Sequence, residues 1–223
     1  MVESIQVIGA GRVGSAVSAR LRERGVALVD GVGSRSSQLV LLCVPDSAIA
    51  DVAAQVEPGP WVAHVSGATP LAALAPHVRR FGLHPLQTFT RARGPEQLDG
   101  AYAAVTAETP EARSLGFELA RLLGLEPFEL ADDARPLYHA GAAIASNYLV
   151  TLFRTASALF AAAGAPVEGL VPLMRRTIEN GFELTGPIAR GDWATVDAHV
   201  RAIRAAAPEL EPMYVALAEA TAP

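Results

Sequence analysis

The stretch Gly9-Ala10-Gly11-Arg12-Val13-Gly14 stands between Ser4–Ile8, which is typical of a short buried strand, and a run over 12–24 with apolar residues near helical spacing. In such a unit Gly9 permits the tight turn, Gly11 leaves room for a pyrophosphate, and Gly14 lets helix and strand pack closely. The first amides of the helix, at Arg12, Val13 and Gly14, then face the phosphates, favoured by the helix dipole. The pattern predicts dinucleotide binding; the alternative is a glycine turn that serves packing alone.

The composition of the chain excludes one class of catalytic mechanism and gives no sign of two kinds of partner. The 223 residues include no lysine, and all 18 basic residues are arginine. Mechanisms that need a lysine amine, as a Schiff base, a Walker-type phosphate ligand or a proton donor, are therefore excluded. The net charge of −5 gives no reason to expect nucleic acid or an anionic membrane as a partner.

Cysteine usage and the start of the chain favour a cytoplasmic protein. The single cysteine, Cys43, lies in the apolar run 39–44, which predicts an inert core thiol and allows no disulfide within the chain. No signal peptide precedes the first strand, and no apolar stretch reaches membrane-spanning length. The five histidines are scattered, so we expect no metal site.

Strand-like and helix-like segments alternate up to about residue 130. Asp46 is a candidate cap for a helix through Val56, and a short helix begins near Pro70. This alternation predicts an α/β fold with a doubly wound, mostly parallel Rossmann sheet. The expected strands are 39–44, 61–65, 81–83, 102–106 and 127–130, with a helix over Pro110–Leu123 before the last of them.

From residue 131 the pattern becomes helical throughout. Asp132 and Asp133 can cap a helix that has Pro136 in its first turn and continues to Gly164. This helix is apolar on several faces, so neighbouring helices or a second subunit should bury it. Further helices are predicted over 167–184, over Trp193–Ala206 and from Pro208 onward. The expected domains are therefore 1–130, which binds the dinucleotide, and 131–223, an all-helical domain.

Several motifs lie along the chain in addition to residues 9–14. They are Val44-Pro45-Asp46, His64-Val65-Ser66-Gly67-Ala68, the run 82–89 (GLHPLQTF), Tyr138-His139-Ala140, Ser146-Asn147 and the run 184–192 (LTGPIARGD). Together they resemble a bacterial family of Rossmann-like oxidoreductases with a helical C-terminal domain of unassigned function. That family resembles the group with a 6-phosphogluconate-dehydrogenase-like helical domain, which includes ketopantoate reductase, prephenate dehydrogenase, pyrroline-carboxylate reductase and the coenzyme F420-dependent NADP reductases.

The resemblance implies a dinucleotide in the N-terminal domain, a small-molecule substrate in the interdomain cleft and a homodimer formed through the helical domain. This sequence departs from the group in two ways. Hydroxyacid dehydrogenases and ketopantoate reductases use a lysine on the long helix, which cannot exist here. In addition, only Ser36-Ser37-Gln38 separates Ser34-Arg35 from the strand at Leu39, where family members usually have a helix, a strand and a connection.

Cofactor choice depends on the end of the second strand. Asp30 lies 21 residues after Gly9, about where an NAD-binding carboxylate is expected. Ser34 and Arg35 match the family's strand-end pair and suit the extra phosphate of NADP. We expect NADP, with NAD as the alternative; this short segment could also be a plain surface turn.

His84 is the first candidate for proton transfer. It follows the strand 81–83 at the edge of the sheet where ligands bind, and histidine exchanges protons near neutral pH. A neutral His84 that only orients its loop is an equal alternative. Gln87 and Thr88 would be polar orienting groups on the same loop.

His139 and Asn147 lie eight residues apart on the predicted long helix and should share one face, with Ser146 pointing elsewhere. Polar side chains on an alanine-rich helix need partners, which a substrate cleft or a helix–helix hydrogen bond would supply. We expect the catalytic set to be His84, Asn147 and His139, facing one cleft.

Other strand ends complete the candidate site. We expect Val44, Pro45 and Ser66 to contact the cofactor, and His64 to be a satisfied core or packing histidine. The 185–192 loop could close over the cleft with Arg190 meeting an anionic substrate, or Arg190 and Asp192 could pair and cap the next helix.

Two functions follow from these patterns. The first is an NADP-dependent oxidoreductase acting on a small carbonyl, hydroxy or imine compound, in which the protein orients the partners and stabilises developing charge. The second is a dinucleotide-binding sensor or interaction protein without turnover, which the missing lysine and the short segment favour.

Overall fold

One sheet organises the N-terminal part of the chain. The computed structural model describes residues 2–29 and 37–222. Within them the strands are β1 (Ser4–Ile8), β2 (Ala27–Leu28), β3 (Leu39–Leu42), β4 (Trp61–His64), β5 (Arg80–Pro85), β6 (Tyr102–Ala107) and β7 (Glu126–Glu129). They pair in the order β2–β1–β3–β4–β5–β6–β7, and every pair is parallel except β5 with β6. The predicted mostly parallel sheet is confirmed.

The position of strand β3 in the sheet explains its uninterrupted apolar sequence. Leu39 and Leu41 belong to one core cluster, whereas Val40 and Leu42 belong to another. Side chains alternate between the two faces of a strand, so β3 is covered on both faces. Burying each such side chain contributes roughly 1.5–3 kcal/mol to stability.

Helices cover both faces of this sheet. The helices here are α1 (Arg12–Glu23), α2 (Ile49–Ala53), α3 (Pro110–Leu123) and α4 (Arg135–Ala143). Leu21 of α1 and Leu119 of α3 pack in the first core cluster, while Ile49 of α2 packs in the second. The strand Ser4–Ile8 and the helix Pro110–Leu123 have the bounds expected from the sequence, and α1 ends one residue earlier than expected.

The turn between β1 and α1 requires glycine at two positions. Gly9 has φ +114°, and a side chain there would overlap the backbone carbonyl of Cys43. A Cβ at Gly14 would overlap the carbonyl oxygen of Gly9 and lie 3.0 Å from Cβ of Cys43. The turn therefore packs directly against the end of β3, as the motif predicts.

The predicted helix cap at Asp46 is wrong, and Asp132 has a partner distant in sequence. A short 3-10 turn (Asp46–Ala48) leads into α2, which ends at Ala53, and the Asp46 side chain makes no capping bond. Its carboxylate instead accepts a hydrogen bond from the Ser66 hydroxyl at 2.8 Å. The Asp132 carboxylate accepts the backbone N–H of Leu71 at 3.0 Å and so holds a 3-10 turn distant in sequence. Both carboxylates find long-range donors that local patterns do not reveal.

The chain divides into two compact units, Met1–Ala143 and Ile144–Pro223. The second begins with a π-helical turn, Ile144–Tyr148, followed by α5 (Leu149–Ala162), α6 (Leu170–Glu179), α7 (Trp193–Ala206) and α8 (Glu211–Thr221). The predicted helical C-terminal region is confirmed, although α6 ends at Glu179, before the expected residue 184. The domain boundary near residue 131 stays a prediction. No helix among the described residues is both long and apolar enough to cross a membrane.

Candidate functional site

The carboxyl ends of three neighbouring strands bring the predicted cofactor residues to one edge of the sheet. Gly9 follows β1, Val44 and Pro45 follow β3, and Ser66 follows β4. A Cβ at Gly9 would lie 3.2 Å from the backbone nitrogen of Val44, so the first two turns are in contact. Because β1, β3 and β4 are adjacent and parallel, these residues form one continuous row.

The glycine turn has the open space that a dinucleotide requires. A Cβ built at Gly11 meets no atom within 4 Å, in contrast to the crowded positions 9 and 14. Arg12 is exposed and Val13 is half-buried at the first turn of α1, whose leading amides have no intrahelical acceptors. These residues fit a pyrophosphate at the helix N-terminus. Asp30, Ser34 and Arg35, on which the NADP prediction depends, lie outside the described residues.

Ser66 is buried and closes its own turn. Its hydroxyl donates to Asp46 Oδ2 at 2.8 Å and accepts the backbone N–H of Thr69 at 3.0 Å. The same oxygen also accepts the N–H of Ala68 at 3.2 Å. The hydroxyl therefore holds the turn in place, and the adjacent Gly67 is the part of it that lies against the site histidines.

His84 lies within β5, not after it. The residue pairs with Ala104 of the antiparallel strand β6, so the predicted strand end at residue 83 is wrong. Its Nδ1 is 2.8 Å from the Tyr138 hydroxyl, and the two rings are nearly perpendicular at 5.5 Å between centroids. The ring of His139 is 5.9 Å from that of His84. Two of the three predicted catalytic residues therefore lie side by side, with a tyrosine that was not predicted.

A buried arginine fixes the start of the helix that carries Tyr138 and His139. Arg135 has no exposed surface. Its guanidinium donates to the Thr106 hydroxyl at 2.8 Å and to the backbone carbonyl of Ser66. Its Nε is 4.0 Å from Oδ1 of Asp132. These bonds join α4 to the ends of β4 and β6, which leaves little freedom in the position of the first turn of α4.

Burial keeps the central groups uncharged. Burial, together with the neighbouring His139 and Arg135, lowers the pKa of His84 to about 4. Burial also raises the pKa of Tyr138 to about 12, against the opposing effect of Arg135. Between these two values the imidazole is neutral and the phenol keeps its proton.

His64, predicted as a satisfied core or packing histidine, is a packing histidine. It lies at the end of β4 with no exposed surface, and neither ring nitrogen has a partner among the described residues. Burial, together with the charge of Arg135, lowers its pKa to about 4. Of the two alternatives, burial supports the packing role, and the ring makes no hydrogen bond within the described part of the chain.

The family can now be stated from sequence comparison. The family described as "Domain of unknown function (DUF2520)" matches residues 101–221, more than half of the chain. The chain belongs to the DUF2520 family. A Rossmann-like domain matches residues 18–89, and no curated protein sequence matches the chain. The recognised combination of a Rossmann-like domain and a helical domain of unassigned function is confirmed.

Solved structures share the fold of this DUF2520 protein at low sequence identity. A Bacteroides fragilis protein, provisionally assigned as an NADP oxidoreductase, is 20% identical with a TM-score of 0.80 and covers 98% of this chain and 97% of its own. Protein TM1727 from Thermotoga maritima is 19% identical with a TM-score of 0.76, covering 96% and 95%. A reductive aminase from Aspergillus terreus, in complex with NADPH and ethyl levulinate, is 16% identical with a TM-score of 0.70, covering 98% and 93%.

The remaining predicted residues have other environments. Asn147 is exposed in the second unit, within the π-helical turn, so the α-helical spacing assumed between it and His139 is interrupted. Gln87 uses its amide to bind the Gln97 carbonyl at 3.0 Å. Arg190 binds the carbonyl of Thr185 within its own loop. Asp192 accepts the N–H of Thr195 and caps α7, which confirms the capping part of the second alternative for that loop but not its pairing with Arg190.

Sequence reasoning missed three residues that form hydrogen bonds with His84 or with Ser66. Tyr138, Arg135 and Asp46 meet their partners across 54, 69 and 20 residues of sequence, respectively. Tyr138 stands directly before His139 in a motif that carried the family resemblance, and that was the available signal. Within the described residues, no group of three or more His, Cys, Asp or Glu side chains is arranged to hold a metal ion.

Proposed function

We propose that this DUF2520 protein is an NADP-dependent oxidoreductase that transfers a hydride between the cofactor and a small carbonyl, hydroxy or imine compound. The observation that carries the proposal is the row of strand ends on one sheet edge, from the open glycine turn at Gly9–Gly14 to His84 and Tyr138. When bound, the nicotinamide supplies the hydride, and the protein supplies orientation and proton transfer.

The proposed site residues divide into those that would bind the cofactor and those that would contact the substrate. Gly11, Arg12 and Val13 would face the pyrophosphate, and Val44, Pro45 and the Ser66-Gly67 turn would line the path towards the nicotinamide. His84 and His139 would contact the substrate. The expectation for Asn147 remains that of a polar, uncharged substrate ligand in place of the excluded lysine. Binding of NADPH to several solved neighbours of the same fold supports this assignment.

The cofactor preference has a direct test. We expect NADPH to bind more tightly than NADH because Arg35 would grip the 2′-phosphate, and loss of such a charge-assisted contact costs roughly 1.5–3 kcal/mol, at least about tenfold in affinity. Calorimetry on wild type, Arg35→Ala and the exposed control Arg24→Ala measures this. Equal affinities for both cofactors, unchanged in Arg35→Ala, would remove Arg35 from the site.

Turnover has to be measured separately from binding. A panel of small aldehydes, ketones, 2-oxo acids and cyclic imines, followed by loss of NADPH fluorescence, tests the reductive direction. NADPH binding without turnover on the whole panel would favour the second candidate, a dinucleotide-binding sensor, which the absence of lysine supports.

The helical unit supports a homodimer. No residue of α5 is buried, and large apolar side chains on the second unit are exposed, including Leu173 at 59%, Phe182 at 70% and Leu184 at 62%. Soluble monomers rarely leave a large apolar patch in water. Light scattering at micromolar concentration should give about twice the chain mass of 23.3 kDa, and a monomer would refute the proposal.

A further inference from the structure

The hydrogen bond between Tyr138 and His84 joins two groups that can each carry a proton. Oη of the phenol lies 2.8 Å from Nδ1 of the imidazole. We propose that they form a relay: Nε2 of His84 gives its proton to the substrate while Nδ1 takes the phenolic proton of Tyr138. The inference rests on the proposed oxidoreductase function and adds a second catalytic group to it.

Both partners are held by rigid elements. His84 lies in β5 opposite Ala104 of β6, two residues beyond the last pair between β5 and β4. Tyr138 lies one helical turn after the buried Arg135, and its ring contacts Phe128 edge-on at 5.9 Å between centroids. The relay geometry therefore comes from the sheet and the anchored helix, without a loop that must close first.

The second ring nitrogen is available for a ligand. Among the described residues Tyr138 binds the ring at Nδ1, and Nε2 has no hydrogen-bond partner. Nε2 lies over the turn after β4, where a Cβ at Gly67 would be 2.9 Å away. Glycine at this position lets the imidazole pack closely against the turn, because a side chain there would overlap the rings of His84 and His139. Tyr138 occupies Nδ1, so a substrate that reaches the ring would bind at Nε2.

The relay avoids the formation of an imidazolate anion at His84. A neutral imidazole that gave away its Nε2 proton alone would become an anion, which is not accessible near neutral pH. Uptake of the phenolic proton at Nδ1 in the same step leaves the imidazole neutral and puts the negative charge on Tyr138. The reduced carbonyl carbon has gained the hydride and its oxygen has gained the Nε2 proton. Nδ1 then returns its proton to the phenolate while Nε2 takes a proton from water, which restores the starting tautomer of His84 and the phenol of Tyr138.

The surrounding charges are compatible with this sequence. The groups that act on His84 are His139, Arg135, Asp46 and the nearby His64. Arg135 favours the phenolate of Tyr138. Burial lowers the pKa of His84 to about 4 and raises that of Tyr138 to about 12, so neither group changes charge between about pH 6 and about pH 9.

The first test compares two tyrosine variants that each lose a hydrogen bond to a histidine. Tyr138→Phe removes the proposed proton source, whereas Tyr214→Phe removes the equivalent bond to His199, 2.7 Å long, in the second unit. On a compound that the wild type reduces, we expect Tyr138→Phe to lower kcat by roughly 10²–10⁴-fold with NADPH affinity unchanged, and Tyr214→Phe to leave kcat unchanged.

The pH profile separates a relay from a structural role. Wild-type kcat should be flat between about pH 6 and about pH 9, because the relay needs no charged histidine. In Tyr138→Phe the proton must come from imidazolium, whose population falls about tenfold per pH unit above its pKa, so kcat should decline as the pH rises. A flat profile with lowered kcat would assign Tyr138 a purely structural role and overturn the relay.

A third measurement needs no substrate. Long-range ¹⁵N–¹H spectra of the histidine rings should show His84 protonated at Nε2 and bare at Nδ1 in the wild type; protonation at Nδ1 would overturn the relay. Should Tyr138→Phe not fold, His84→Gln provides the activity test, because its amide can donate but cannot pass on a proton, and near-wild-type kcat would overturn the relay. Absence of wild-type turnover would refute the proposed function, while retained turnover in Tyr138→Phe would refute the relay alone.

Discussion

His64 should make the first unit sensitive to mild acid. Its imidazole is fully buried with no hydrogen-bond partner among the described residues, and burial, reinforced by Arg135, lowers its pKa from 6.5 to about 4. Between these two pKa values His64 is protonated in the unfolded chain and neutral in the folded chain. The stabilising effect of the neutral ring is therefore complete above about pH 6.5 and is lost as the pH falls towards about pH 4.

The size of the effect follows from the shift. The free energy of unfolding should fall by about 1.4 kcal/mol per pH unit within this window, which gives about 2 kcal/mol at ~pH 5. His64→Leu removes the titrating group and sacrifices no hydrogen bond. The free energy of unfolding of His64→Leu, relative to that of wild type, should therefore rise by about 2 kcal/mol between ~pH 7.5 and ~pH 5. Any packing cost of the substitution is present at both pH values and does not affect this change.

The chain offers a clean way to measure this. It has two tryptophans, Trp61 in β4 and Trp193 at the start of α7. In a Trp193→Phe background, urea unfolding followed by fluorescence reports on the first unit alone. His199→Leu, at an exposed position of the second unit, is the matched control. A difference between wild type and His64→Leu that stays constant from ~pH 7.5 to ~pH 5 would refute the reasoning.

Three further predictions concern the glycine turn, a loop and the thiol. Gly14→Ala should destabilise the fold by more than about 2 kcal/mol, because its Cβ overlaps the Gly9 carbonyl, whereas Gly11→Ala should keep wild-type thermal stability and weaken NADPH binding in calorimetry. Gln97→Leu should cost about 2–4 kcal/mol in urea unfolding, since its buried amide binds Thr90 N at 2.7 Å and Arg93 O at 2.8 Å; an unchanged midpoint would contradict this. Cys43, whose pKa burial raises to about 12, should react with a thiol reagent at ~pH 8 only on unfolding, and rapid labelling of the native chain would contradict its burial.

Local patterns predicted the fold well where neighbouring residues determine the structure. The strand Ser4–Ile8, the glycine turn and the run around Leu41 carry their periodicity in a few consecutive residues. His84 was placed after its strand because Pro85 suggested an end. In fact Pro85 is the last residue of β5, where a missing N–H is tolerated.

The candidate site could be predicted in outline only. The strand ends indicated which edge of the sheet gathers the candidate residues, but Tyr138 and Arg135 bind partners more than 50 residues away, for which no periodic signal exists. The roles of Arg35 and Asn147, the homodimer and a cytoplasmic location stay predictions. Calorimetry tests the role of Arg35, and light scattering tests the homodimer.

The antiparallel pairing of β5 with β6 has a consequence for the lifetime of the site. Because His84 faces Ala104 inside that ladder, its position depends on strand register, and a slip by one residue would turn the ring to the opposite face of the sheet. The imidazole is therefore in place before any ligand arrives, and binding need not pay the entropy of ordering it. Amide hydrogen exchange at residues 81–84 should be as slow as in the core strands, so that the position of His84 is lost only when the sheet itself opens.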